Sequence, residues 1–256
     1  MLELENILVA HGGRAVLKVD RLEIPSNSFT AILGHNGSGK STLMNIMARH
    51  LEPHHGTVSL KGYNLISYRQ RDFAKVVAYL PQFLPSAPGL TVRQLVKLGR
   101  YPYRGLIGRW RKEDYAAIEY SMINMDVNHY ADRLVDTLSG GERQRAWIAM
   151  LLAQEAPLIL LDEPIAALDL THQYQLMEKL KELNKYSGRS IVAIVHDLNL
   201  AVRFADRIII LKSGRVHFDG APEGLLSEKF LSDLYGMDIQ LLDQPGSHIK
   251  IMAVSP

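Results

Sequence analysis

FTAILGHNGSGKST, residues 29–42, runs from a short apolar stretch through a glycine-rich turn into a helix striped by Leu43, Ile46 and Met47. Gly34 to Thr42 fits Gly-x4-Gly-Lys-Ser, and a strand before it with a helix after it is the setting a phosphate-binding loop requires. Gly34, Gly37 and Gly39 let the backbone N–H groups around His35, Asn36 and Ser38 turn inward on phosphate oxygens, and the helix N-terminus adds positive potential. Lys40 reaches the terminal phosphates of a nucleotide, and Ser41, followed by Thr42, offers a hydroxyl to Mg2+. The plainer alternative is a glycine-rich turn that only opens a helix.

Outward from that stretch, Val76 to Leu80, Leu158 to Leu161, Ile191 to Val195 and Ile208 to Leu211 are short apolar runs bounded by turn residues. Such runs predict buried parallel strands. Helical patterns at Ser41 to Arg49, Gly141 to Gln154 and Thr171 to Tyr186 lie between them, so the core reads as an α/β sheet covered on both faces. From about Thr91 to Ala153 the periodicity is helical throughout, which predicts an insertion between core strands. Thr57 to Lys61 and Gly214 to Phe218, each beside a glycine, read as antiparallel hairpin strands.

Ligands of open α/β sheets collect beyond the carboxyl ends of the strands, so polar residues at those ends share one surface. Asp162 and Glu163 follow LILL, and adjacent strand residues point to opposite sides, which divides the pair between two tasks. Asp162 is predicted to hold Mg2+, directly or through water, and Glu163 to orient or deprotonate the water that attacks the γ-phosphate. Gln82, after VVAYLP, suits a residue that binds a metal's water shell and senses the nucleotide. His196, after IVAIV, can hydrogen-bond the γ-phosphate or the water. Taken singly, such a Gln or His is more often a satisfied structural group, and one acid of the pair could be a helix cap. Their convergence on one rim argues for a site.

LSGGERQR, residues 138–145, precedes a helix, and Ser139 with Glu142 fits a capping box. Gly140 and Gly141 leave that helix end bare, which makes a second anion site about a hundred residues from the first. Two copies packed head to tail could each place Ser139-Gly140-Gly141 over the other's phosphate loop.

At these residues the chain resembles the ATP-binding-cassette ATPases: the order GHNGSGKST, Gln82, LSGGERQRA, LLDEP, Ala167-Leu168-Asp169, His196 is that family's order, over nearly the whole length. The resemblance implies a P-loop NTPase of class α/β, with a RecA-like core, an antiparallel β subdomain and an inserted α-helical subdomain. It implies one ABC ATPase domain over 1–256, divided into a core of 1–85 and 155–256 and a helical part of 86–154. It further implies ATP and Mg2+ as ligands, Mg2+ falling to Ser41, Gln82 and Asp162, and a homodimer sandwiching two ATP. Glu163, His196 and Gln82 would be catalytic, Gln82 also linking to a transmembrane permease, and Ala167-Leu168-Asp169 would touch the opposite subunit. GHNGSGKSTL, AYLPQ, TVRQLVKLGRYPYRG, RLVDTLSGGERQRAWIAMLLAQ and VHDLNLA together resemble the ferric-siderophore and vitamin B12 importer branch, and within it the ATPases for ferric hydroxamates such as ferrichrome. That branch implies a peripheral protein at the cytoplasmic face of the bacterial inner membrane, served indirectly by a substrate-binding protein. Vitamin B12, haem and ferric catecholates are alternative cargoes. The chain departs from the family in two places. The aromatic that stacks on adenine falls at His11, and the usual Thr-Ser before Ala-Leu-Asp is Ile165-Ala166, which removes two hydroxyls near the dimer contact.

Composition narrows the rest. In 256 residues, 29 Lys plus Arg against 27 Asp plus Glu is too near balance for a polyanion as main partner, so no nucleic acid is expected. The absence of cysteine excludes disulfides, thiolate metal sites and a thiol nucleophile. The start, with Glu3 and Glu5, does not read as a secretion signal, and no apolar run approaches the ~20 residues of a membrane span. Arg100, Tyr101, Tyr103, Arg104, Arg109, Trp110, Arg111 and Lys112 form a basic, aromatic cluster that fits a solvated face, a permease dock or a nucleic-acid patch. A soluble cassette ATPase of repair or translation usually has a long coiled coil or two cassettes, and a small-molecule kinase would not need LSGGE.

Overall fold

The computed structural model describes residues 1–104, 108–166, 168–225, 227–243 and 250–254. In chain order the elements are β1 (Leu2–His11), β2 (Arg14–Ile24), β3 (Phe29–Leu33), α1 (Lys40–Met47), β4 (His55–Leu60), β5 (Tyr63–Asn64), α2 (Gln70–Phe73) and β6 (Val77–Leu80). Four helices follow: α3 (Val92–Leu98), α4 (Tyr101–Arg104), α5 (Lys112–Asn124) and α6 (Gly140–Ala153). Then come β7 (Leu158–Leu161), α7 (Leu170–Ser187), β8 (Ser190–Ile194), α8 (Leu198–Phe204), β9 (Arg207–Lys212), β10 (Arg215–Gly220), α9 (Glu228–Tyr235), β11 (Ile239–Asp243) and β12 (Lys250–Val254).

The central sheet has the order β10-β9-β3-β8-β7-β6, and all its neighbours pair in parallel except β10, which closes one edge antiparallel to β9. All five residues of β3 and all four of β7 are buried, which is why these strands read as unbroken apolar runs. Their alternation divides the core. Phe29, Ala31, Leu33, Ile159 and Leu161 face the helices α3 and α5–α8, while Ile32, Leu158 and Leu160 face α1 and a second sheet. That second sheet, β2-β1-β4-β5, is antiparallel, so the core is covered by helices on one face and by α1, the short α2 and a sheet on the other. Among the described residues no helix is long and apolar enough to cross a membrane.

The stretch read as an all-helical insertion contains α3 to α6, and its apolar residues join the same cluster as the sheet. Thr91 begins α3 with a complete capping box closed by Gln94. The basic cluster is not one solvated face. Arg100 is 4% exposed and ion-paired to Asp114 and Glu155, Arg71 donates to the Pro102 and Tyr103 carbonyls, and Arg104 lies over the Trp110 ring.

Candidate functional site

The phosphate-loop stretch forms between β3 and α1. Gly34 has φ +145°, and a Cβ there would stand 2.3 Å from the Leu211 carbonyl oxygen and 2.6 Å from Ser38 Oγ, so the chain can pass only as glycine. Gly39, also left-handed, begins α1 without a side-chain cap, which leaves the first N–H groups of the helix open to a ligand. Lys40 is 5% exposed, and its Nζ donates to the Gly34 and His35 carbonyls at 2.8 and 3.0 Å. Burial lowers its pKa, while Glu163 and Asp162 act the other way.

The other strand ends arrive at the same rim. Pro81 separates β6 from Gln82, β7 runs directly into Asp162 and Glu163, and Val195 separates β8 from His196. Glu163 takes φ +53°, a left-handed conformation disfavoured for a residue with a Cβ. From there its carboxylate receives Gln82 Nε2 on Oε2 at 2.8 Å and meets His196 Nε2 on Oε1 at 2.8 Å. Side chains that follow three different strands thus come together, two of them on the carboxylate of the third. Asp162 is 3% exposed, and its Oδ1 has no hydrogen-bond partner among the described residues. Burial and then the neighbouring Glu163 raise its pKa, against the Ser41 hydroxyl and the Lys40 charge. A buried carboxylate oxygen left unpaired beside a serine hydroxyl suits a cation.

A cleft of about 630 Å3 runs over these groups, lined by Val16, Asn36, Gly37, Gly39, Lys40, Ser41, Thr42, Gln82, Glu163 and His196. His11 ends β1, is exposed, and does not line it. Val16, on β2, does line it, and nothing in its own sequence neighbourhood pointed to it. His35 is exposed with its ring turned away to Tyr235.

Ser139, Gly140, Gly141 and Glu142 lie outside the cleft. They form the expected cap on α6: Ser139 Oγ accepts from Glu142 N at 3.4 Å, and Ser139 N donates to Glu142 Oε2 at 2.8 Å. A hydrogen bond from Tyr130, with that from Ser139, holds the Glu142 carboxyl at about 2. A Cβ at Gly140 would meet nothing within 4 Å, so the helix end is bare on that side. Ala167 lies outside the described residues. Asp169, the next polar residue after it, caps α7 through His172 N at 2.9 Å.

Residues 17–166 match the family model described as ABC transporter. The chain is similar to the ferric enterobactin transport ATP-binding protein FepC of Escherichia coli strain K12, with 42% identity over 94% of this chain and 89% of that one. It is also similar to the iron(3+)-hydroxamate import ATP-binding protein FhuC of Bacillus subtilis strain 168, with 39% identity over 95% and 91%. Among solved structures it resembles the dimeric ATP-binding cassette MJ0796 in a post-hydrolysis state with ADP and Pi, with a TM-score of 0.77 and 30% identity over 87% of this chain and 99% of that one.

Proposed function

Because this chain belongs to the ABC transporter family, we propose that it is the ATP-hydrolysing subunit of an iron-siderophore importer, working in pairs on a separate permease at the cytoplasmic face of the bacterial inner membrane. The observation that carries the reading is the meeting of Gln82, Glu163 and His196 beside the phosphate loop. Lys40 would give up the Gly34 and His35 carbonyls for the β- and γ-phosphates, supported by the N–H groups of residues 34–39 and the open end of α1. Ser41 and Asp162, with Gln82 near by, would hold Mg2+, which when bound neutralises charge on the phosphate oxygens. Among the described residues no group of three His, Cys, Asp or Glu is arranged to hold a metal ion by itself, and a magnesium site that keeps its waters needs none. Glu163 would orient and deprotonate the attacking water, and His196 would steady the γ-phosphate once it exchanges the carboxylate for it.

Ser139, Gly140 and Gly141, outside the cleft of their own chain, would complete the site of a second copy, as the dimeric solved relative suggests by analogy. Residues 86–154 are the proposed helical subdomain, and 1–85 with 155–256 the proposed core. Phe83, 83% exposed beside Gln82, supplies an apolar contact for the permease. Ferric hydroxamate is the proposed cargo, on the resemblance of the sequence and of the Bacillus subtilis relative.

Glu163→Gln, assayed in the assembled transporter, should slow hydrolysis by about 10^2 to 10^4 while ATP stays bound. Hydrolysis at the wild-type rate would remove Glu163 from its role. Cells lacking the chain, fed one iron chelate at a time, should lose uptake of hydroxamates; loss of a catecholate alone would reassign the cargo.

A further inference from the structure

Among the described residues, α9, β11 and β12 supply none of the strand ends that build the cleft, yet they touch two of the segments that do. Tyr235, the last residue of α9, sets its ring edge-on to the His35 imidazole with centroids 5.5 Å apart. His35 is the first residue after Gly34, and its carbonyl is one of the two that hold Lys40. Tyr235 is half-buried, and its hydroxyl pKa is raised by that burial and then by the Asp197 carboxylate.

The hairpin beyond α9 reaches the turn after His196. Met252 N donates to Asn199 Oδ1 at 2.8 Å, and Asn199 Nδ2 donates to the Met252 carbonyl at 3.2 Å. Asn199 stands in the first turn of α8, where Asp197 Oδ1 accepts from Asn199 N at 2.7 Å and from Leu200 N at 3.2 Å. The segment is braced as one piece. Leu241 N donates to Glu228 Oε1 at 2.8 Å, Ile239 N to Ser232 Oγ at 3.0 Å, and Lys212 Nζ, at the end of β9, to the Asp233 carbonyl at 3.3 Å.

We infer that α9, β11 and β12 form a positioning clamp on the hydrolytic site, holding the phosphate loop through Tyr235 on His35 and the His196 turn through the Met252 backbone on Asn199. The inference deepens the proposed ATPase reading and rests on it. Both loops are connections between a strand and a helix, and they lie beyond the last rung of the β3–β8 pairing, Val195 N on the Ile32 carbonyl at 3.1 Å. Catalytic alignment is sensitive on that scale, since a displacement of about 1 Å can cost as much as 10^2 in rate. A clamp of this kind acts on turnover more than on ATP binding, because the loop's own N–H groups and Lys40 grip the nucleotide, whereas hydrolysis also needs the loop and the His196 turn in mutual register.

The test uses the full chain assembled with its permease. Tyr235→Phe keeps the ring and should keep kcat. Tyr235→Ala and Asn199→Leu should each lower kcat about tenfold while KM for ATP moves less than about twofold. His35→Ala combined with Tyr235→Ala should be no slower than the slower single variant, because both remove the same contact. A segment that only stabilised the fold would lower the melting temperature and leave kcat per folded molecule unchanged. That result in Tyr235→Ala overturns the clamp, as does a double variant whose losses multiply. Should Tyr235→Ala fail to fold, Asn199→Leu decides: a tenfold loss supports the clamp and wild-type kcat overturns it. Glu163→Gln run in parallel separates the two levels. If it is inactive while both clamp variants turn over normally, the clamp alone fails; if it stays active, the site reading fails and the clamp with it.

Discussion

Arg100→Met tests how the helical segment is held together. The guanidinium, on the turn after α3, donates from Nε to Asp114 Oδ1 at 2.9 Å and from Nη1 to the Ala153 carbonyl at 2.8 Å and Glu155 Oε2 at 2.5 Å. It therefore joins α3 to the start of α5 and the end of α6. The Asp114 side chain is 5% exposed and that of Glu155 46%, so the two pairs are unequal. Removing one partner of a buried pair costs roughly 3 to 5 kcal/mol, and a half-exposed pair adds at most about 1. At roughly 2 to 4 °C per kcal/mol for a chain of this size, the melting temperature should fall by about 10 °C.

Burial pushes the Asp114 carboxyl up, but the Arg111 N–H and the Arg100 charge outweigh it and hold the pKa below 3.8. Their stabilisation is thus complete above that ordinary value and is lost as pH falls through the lower folded value. Without Arg100 its part of that lowering is gone while burial still opposes the charge, so acidification toward pH 4 should narrow the gap to wild type. Arg100→Met with Asp114→Asn should recover part of the loss, since no buried charge is then stranded and the Arg111 N–H keeps its acceptor. Thermal unfolding of the four proteins reads the coupling directly. A single-variant loss below about 1 kcal/mol, or losses that simply add, would refute the reasoning.

Asp162→Asn should raise the melting temperature of the nucleotide-free protein at pH 7, because burial and Glu163 disfavour the native carboxylate. A raised folded pKa means that the penalty is full above it and gone below the ordinary 3.8, so the gain should fade on acidification; an equal gain at pH 7 and pH 4 contradicts this. Mg2+-dependent stabilisation by ATP should vanish in the same variant. Ser139→Arg should abolish turnover and keep ATP binding. Mixed one to one with Lys40→Ala, it should regain up to about a quarter of wild-type activity, since half the pairs would carry one intact site of two; no regain would contradict the shared site.

The central strands were legible because a strand buried on both faces carries its own signal: β3 and β7 have no exposed residue to interrupt the apolar run. The β1–β2 hairpin was not. Leu2 and Leu4 alternate, but burial resumes at Ile7 and Val9, one residue out of phase, because Asn6 turns left-handed at φ +53° and the pairing to β4 shifts between Glu5 and Leu8. A period-2 reading breaks at that bulge. Val16 was missed with it, since a valine on an unrecognised strand has no reason to stand at a cleft. The reading of Arg100 with a surface cluster failed for another reason: its neutralising acids are 14 and 55 positions away, so local charge counting could not find them. His11 rests on analogy to an aromatic alone, and it is exposed at the end of β1 outside the cleft lining. The convergence on Glu163 was legible in its members and invisible in its geometry, because the left-handed φ that aims the carboxylate has no sequence mark ahead of Pro164.

That aiming explains why one copy of the chain is an incomplete catalyst on the proposed reading. Beside the loop, Lys40 is the buried cation and Asp162 and Glu163 are acids, so the arriving triphosphate meets two carboxylates and one ammonium. Lys40 and a bound Mg2+ can answer the charge at the β- and γ-phosphates from the sheet side. The opposite side of the γ-phosphate needs neutral donors that bring no further carboxylate, and a bare helix N-terminus is such a donor. The open end of α6 qualifies because Glu142, the acid nearest to it, is already committed to the Ser139 N–H and to Tyr130 and so completes the cap. Tyr130→Phe would loosen that commitment and let the carboxylate compete for the exposed N–H groups. Hydrolysis by the assembled pair should then weaken while ATP binding to the single chain, measured by nucleotide fluorescence, stays as it was; weakened binding to the single chain would mean that α6 acts within its own site.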